Sequence, residues 1–186
     1  MSEWFETLGG LLEQGWTVLE QVTTDVKSDA RFPTLASLGT DGAPEVRSVA
    51  LRGTDRLAGA VCVHTDIAST KIDGIRRDHR VSLHLWQPSL DLQLRLRGVV
   101  TILAGNAVQE VWNRLPKATR GNYGVTPAPG TPIARSDSYC RVPDHDRFAV
   151  LDITLDQIDI VHLSADYHLR ALFRRQDGWV GQWLAP

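Results

Sequence analysis

Apolar residues open the chain at helical spacing: Trp4, Leu8, Leu11, Leu12, Trp16 and Leu19 fall on one face. This predicts an amphipathic helix over residues 2–20, with Ser2 as N-cap and Glu3 in its first turn. Gly9 and Gly10 weaken it by about 1 kcal/mol each relative to Ala. From Arg31 the period shortens to two. Runs at 32–38 and 46–52 flank Gly39-Thr40-Asp41-Gly42, a turn that joins antiparallel strands, and residues 57–64 make a third strand. A short helix follows over 69–77, with Ser69 as N-cap and Ile72 and Ile75 inward, then a strand over 81–86. Alternation is cleanest over 92–100, where Leu92, Leu94 and Leu96 oppose Gln93, Arg95 and Arg97. Asn106 caps a further helix through Arg114, ended by Pro116.

Between Gly121 and Pro132 six of twelve residues are Gly or Pro, which marks a long loop, either a connection or a flap over a site. Strand-like runs follow at 148–155, 158–163, 169–175 and 179–184, the last two joined by Gln176-Asp177-Gly178. Many short strands with a few short helices predict a mainly β protein, a small antiparallel barrel with peripheral helices. One domain over residues 1–186 accounts for the length.

Composition narrows the function classes. Hydrophobic residues make up 42% and charged residues 23%, enough apolar mass for a real core. A net charge of −2 excludes the basic footprint of a non-specific nucleic-acid binder. No apolar run approaches the roughly 20 residues of a membrane helix, and the acidic start Met1-Ser2-Glu3-Trp4-Phe5-Glu6 is unlike a signal peptide. Two cysteines, Cys62 and Cys140, form neither a disulfide framework nor a ligand cluster. A reduced, cytoplasmic protein is expected. Of the 20 basic residues 17 are Arg, a bias that genomic base composition explains more simply than anion recognition does, so single arginines need local arguments.

Familiar signatures are missing: no phosphate loop, no dinucleotide glycine fingerprint and no nucleophile elbow. The six histidines show no metal-site spacing, and Asp144-His145-Asp146 reads as solvated charge in a loop. A distributed set remains. Arg47 and Arg52 bracket one strand, Thr65 ends the next, and Ser69-Thr70-Lys71 opens a helix. A helix N-terminus offers free amides and a positive dipole end, so an anion is favoured there and a lysine is not. Lys71 with Thr65 and Ser69 therefore forms a plausible monophosphate cradle, completed by Arg47 if its strand lies alongside. The alternative is a set of solvated strand and first-turn residues. Gln93, whose amide both donates and accepts, matches the edge of a pyrimidine-like ring, or is an exposed strand glutamine.

Together the stretches Arg47-Ser48-Val49-Ala50-Leu51-Arg52, His64-Thr65-Asp66-Ile67-Ala68-Ser69-Thr70-Lys71, Gln93-Leu94-Arg95-Leu96-Arg97-Gly98, His168-Leu169-Arg170 and Trp183-Leu184-Ala185-Pro186 resemble the pyridoxamine 5′-phosphate oxidase family, the FMN-binding split barrels. The resemblance runs from about residue 32 to the C-terminus and implies about six to eight antiparallel strands. It implies FMN as cofactor, with Arg47 and Lys71 on the phosphate and Thr65 and Ser69 beside them. Ser48 and Val49 match the backbone run along the flavin, and Gln93 its pyrimidine-edge partner. Arg170 matches an arginine that reaches the flavin from the second subunit of a homodimer. Arg52 stands where the family has a lysine near flavin and substrate, and His168 where it has a substrate-contacting histidine.

The departures bear on activity. Thr70 replaces an arginine beside the phosphate lysine, and Asp166 replaces the arginine two positions before His168, a like charge for a phosphate substrate. The family's substrate tyrosine and arginine have no match around Trp112 to Pro116, nor its Gln-Ser pair near Pro127 and Ala128. The resemblance therefore implies an FMN-dependent oxidoreductase acting on a small substrate, with Arg52 and His168 as the catalytic candidates. The alternatives are the pyridoxamine or pyridoxine phosphate oxidase itself and a non-enzymatic flavin or haem binder. No metal, nucleic acid or membrane is expected as a partner.

Overall fold

A computed structural model describes residues 3–25, 27–28, 30–163 and 166–186. The expected N-cap, Ser2, lies outside them. A 3-10 turn over Trp4–Glu6 comes first, and helix α1 spans Leu8–Thr24. Thr7, in extended conformation, is the N-cap, its hydroxyl accepting the Gly10 N–H at 3.0 Å. The helix starts later than periodicity predicts because Trp4 and Phe5 leave the helical path to pack on His162, with ring centroids 5.1 and 4.5 Å away. Leu11, Trp16, Val18, Leu19 and Val22 form the buried stripe of α1.

The strands are β1 (Thr34–Leu38), β2 (Pro44–Ser48), β3 (Leu51–Asp55), β4 (Ala60–Asp66), β5 (Arg80–Gln87), β6 (Leu92–Ala104), β7 (Val125–Thr126), β8 (Cys140–Arg141), β9 (Phe148–Leu163), β10 (His168–Arg174) and β11 (Gly181–Leu184). The helices after α1 are α2 (Thr70–Arg77), α3 (Gln109–Arg114) and α4 (Lys117–Arg120). Among the described residues nine strands make one antiparallel sheet, against the six to eight expected. Its main path runs β11-β10-β9-β6-β5-β1-β2, and β4, carrying β3, also pairs with β9. The run expected at 46–52 breaks into β2 and β3 at Val49, whose N–H turns to the Pro33 carbonyl at 2.9 Å. Conversely, the two runs expected at 148–155 and 158–163 are one strand, β9, which passes the step with a register shift opposite Arg97 and Gly98. That length lets β9 pair with β4 along its first half and β10 along its second. The sheet splits there.

Leu35, Leu83, Leu94, Leu96, Ile158 and Ile160 point to the core with α1 and are all but fully buried. Alternation sends their neighbours to the outer face. Across β2, β1, β5, β6 and β9 that face carries one row through Ser48, Thr34, His84, Arg95 and Asp159. A second cluster, Val108, Trp112, Tyr123, Phe148 and Val150, packs under α3 and the Gly/Pro-rich loop. The loop is more structured than expected: β7 pairs with β8, and residues 131–144 between and beyond are exposed. The helix expected from Asn106 is a 3-10 turn over Gly105–Val108 followed by α3. Among the described residues no helix is long and apolar enough to cross a membrane.

Candidate functional site

The predicted cradle residues converge. Lys71, in the first turn of α2, donates from Nζ to Thr65 Oγ1 at 2.8 Å and to Ser69 Oγ at 2.7 Å. Ser69 is the N-cap residue of α2, but its hydroxyl serves Lys71 and makes no capping bond. Helix α2 reaches this place through Gly74, where an added methyl would stand 2.1 Å from the Leu38 carbonyl oxygen. Only glycine lets the helix lie so close to the end of β1. Burial and the neighbouring Arg47 cation push the Lys71 pKa below the ordinary lysine value, with Asp66 partly opposing them. An ammonium has three donors, and hydroxyls take two here. The third has no acceptor among the described residues. A bound anion would relieve both the burial and the repulsion, so the residues present fit a phosphate.

Arg47 points from β2 toward the same place. Its guanidinium donates to Ser37 Oγ at 2.7 Å and pairs with Glu45 at 2.5 Å. Glu45 is a competitor for any anion. It sits two residues before Arg47 on one strand face, a spacing that could have identified it.

From the cradle a cleft of about 370 Å³ extends along Ser48, Val49, Arg52 and His64 to Asn122, Tyr123 and Pro129. The Gly/Pro-rich loop is thus a wall of the cleft. Arg52 is exposed and makes no hydrogen bond or ion pair among the described residues. Its field reaches His64, Cys62 and Tyr123. Burial, with Arg52 adding to it, pushes His64 down to about 4, so this imidazole is neutral at neutral pH. Burial likewise raises Tyr123 and takes the Cys62 thiol up to about 11, so neither ionises readily. His64 Nδ1 is buried without a partner among the described residues, and the ring meets Phe148 edge-on at 5.1 Å.

The other predicted residues lie elsewhere in the same chain. Gln93, His168 and Arg170 share the outer sheet face, with Gln93 and Arg170 both opposite Val161. Gln93 Oε1 is 3.3 Å from His84 Nε2, and His168 is exposed. Arg170 is bound to Asp159, Nε to Oδ1 at 3.2 Å and Nη2 to Oδ2 at 2.9 Å, while Arg95 holds the same carboxylate at 2.6 Å. This bond raises the Arg170 pKa further. One chain therefore does not bring all nine candidate ligands together.

Asp66, Asn122 and Tyr123 carry no local signal of a role in the cleft. Asp66 is an ordinary charge at a strand end until the fold brings Arg147, 81 residues away, onto it. The contacts that give it a role are long-range, and no local spacing records them.

Residues 13–104 match the family model described as pyridoxamine 5′-phosphate oxidase, FMN-binding domain. A pyridoxine/pyridoxamine 5′-phosphate oxidase of Salinibacter ruber is 30% identical over 105 residues, 56% of this chain and 47% of that protein. The match thus spans about half the length of this curated relative. In fold, a pyridoxamine 5′-phosphate oxidase-related, FMN-binding protein of Nostoc punctiforme aligns over 93% of this chain and 96% of its own, with TM-score 0.76 and 23% identity. PhzG of Burkholderia lata, solved with tetrahydrophenazine-1-carboxylic acid, aligns over 94% and 91%, with TM-score 0.73 and 17% identity. With its matched segment running from α1 through β6 and the rest of the chain completing the same antiparallel split barrel, this protein belongs to the pyridoxamine 5′-phosphate oxidase-related, FMN-binding family.

Proposed function

We propose that the protein binds FMN in the cleft beside α2 and is an oxidoreductase acting on a small substrate, working as a homodimer. The observation that carries the reading is Lys71: a half-buried ammonium flanked by a second cation and, among the described residues, satisfied by two hydroxyls alone. Lys71, Arg47, Thr65 and Ser69 would hold the phosphate, with Ser48 and Val49 along the ring system. When bound, FMN supplies hydride acceptance and donation. The guanidinium of Arg52, which has no partner among the described residues, would hold negative charge that develops beside it in the cleft. The imidazole of His168 would contact substrate or carry a proton at one ring nitrogen.

Gln93, His168 and Arg170 belong to the outer sheet face, away from the cradle, so their participation calls for a second copy of the chain. That face exposes Val46 and Trp86. Asp166 is exposed two residues before His168, where its charge opposes a phosphate ester. This favours a substrate other than pyridoxamine phosphate.

The test is an FMN titration followed by visible absorption. Saturable uptake, weakened in Lys71→Ala and Arg47→Ala, is expected. Absence of uptake by the wild-type protein overturns the proposal.

A further inference from the structure

Four donors converge on one carboxylate at the inner end of the cleft. Asp66, the last residue of β4, is 6% exposed. Its Oδ1 accepts from the Ala68 N–H and Arg147 Nε, each at 2.9 Å. Its Oδ2 accepts from the Gly124 N–H and Arg147 Nη2, each at 3.0 Å. Arg147 donates in turn to the Val125 carbonyl at 3.2 Å. One side chain thus joins the strand that ends in Thr65, the turn that sets up Ser69, and the loop that carries Asn122, Tyr123 and Pro129.

The loop can take this path only through Gly124. Its φ is +114°, and an added methyl would meet the Val142 carbonyl oxygen at 2.0 Å. Every partner of Asp66 is a donor, so a carboxylate satisfies the junction better than any neutral side chain. Asp66 lines the cleft but is spent on the wall.

We infer that Asp66 is a positioning residue for the cleft's ligand, coupling the cradle residues Thr65 and Ser69 to the Gly/Pro-rich loop so that each stabilises the bound arrangement of the other. The inference rests on the FMN reading given above. Its consequence is reciprocal: FMN must order the loop, and loss of the junction must weaken FMN by the same factor.

Two measurements on the full chain test it. In the wild-type protein, FMN saturation should slow amide hydrogen exchange across residues 121–130. Unchanged exchange there overturns the inference. FMN affinity is then measured for Asp66→Ala and for Asp66→Ala with Arg147→Leu. The single change strands a guanidinium and lowers the melting temperature; the double change removes that guanidinium and recovers part of the loss. Both variants should bind FMN about tenfold more weakly, within the span of measured couplings. Recovery of affinity together with stability in the double variant would mean Asp66 only holds the fold, and overturns the inference. If the wild-type protein takes up no FMN, the flavin reading falls and takes this one with it. Wild-type uptake with unaffected variants sinks this inference alone.

Discussion

Replacing Lys71 by Met separates a ligand from a clamp. The side chain ties Thr65 to Ser69 through two hydrogen bonds, so a purely structural role is conceivable. Its charge, however, is disfavoured in the fold by burial and by Arg47. At neutral pH a lysine whose pKa is lowered on folding opposes folding, and Met removes that opposition. The two hydroxyls left behind can re-pair with water or backbone, each bond being worth about 1 kcal/mol net. Gains and losses are of the same order, so stability without ligand should move by no more than about 1 kcal/mol, or about 2–4 °C for a chain of this size. Binding should respond differently. A charge-assisted bond to phosphate is worth about 1.5–3 kcal/mol, which converts to roughly 10- to 150-fold in affinity. The assay is a thermal melt of the FMN-free variant beside an FMN titration at fixed ionic strength. A melting temperature lowered by more than about 5 °C, with affinity reduced less than about threefold, would refute the ligand role and leave Lys71 as a clamp.

Three further outcomes are expected. His64 titrates near 4 in the fold against an ordinary 6.5, so the unfolded chain binds the extra proton and stability falls as pH drops from 6.5 toward 4; His64→Phe should flatten that limb in urea midpoints measured against pH, and an unchanged limb would contradict the burial argument. Asp159→Ala leaves Arg95 and Arg170 without their shared carboxylate, and because both arginines are partly exposed the loss should be about 2 kcal/mol, short of a fully buried pair, as read by chemical denaturation. Val46→Glu together with Trp86→Glu places charge on the exposed apolar part of the outer sheet face; sedimentation should show a dimer for the wild-type chain and a monomer for the variant, and a wild-type monomer would refute the dimer.

The strands, the short helix at α2 and the inward Leu92, Leu94 and Leu96 are written in local periodicity, because a side chain's face follows from its position along a strand or helix. The same local rule marks Lys71 as misplaced at a helix start, and that conflict locates the cradle. Nearest-neighbour chemistry was sufficient there. It also gave the wrong helix start, since the pull of His162 on Trp4 and Phe5 comes from 158 and 157 positions away in the chain.

Which distant groups share a site follows from the folded arrangement of the strands and loops. Thr65, Ser69 and Lys71 come together within seven residues, and the sequence alone determined them. Arg47 joins because β2 ends the sheet beside α2, and its Glu45 and Ser37 partners follow from the β1–β2 register. The loop became a wall of the cleft when Asp66 met Arg147 and Gly124, a contact between segments with no common periodicity. Gln93 and Arg170 were readable as polar strand residues, yet their separation from the cradle depends on the order of strands in the sheet. Periodicity sets the face a residue occupies, and strand order sets its neighbours.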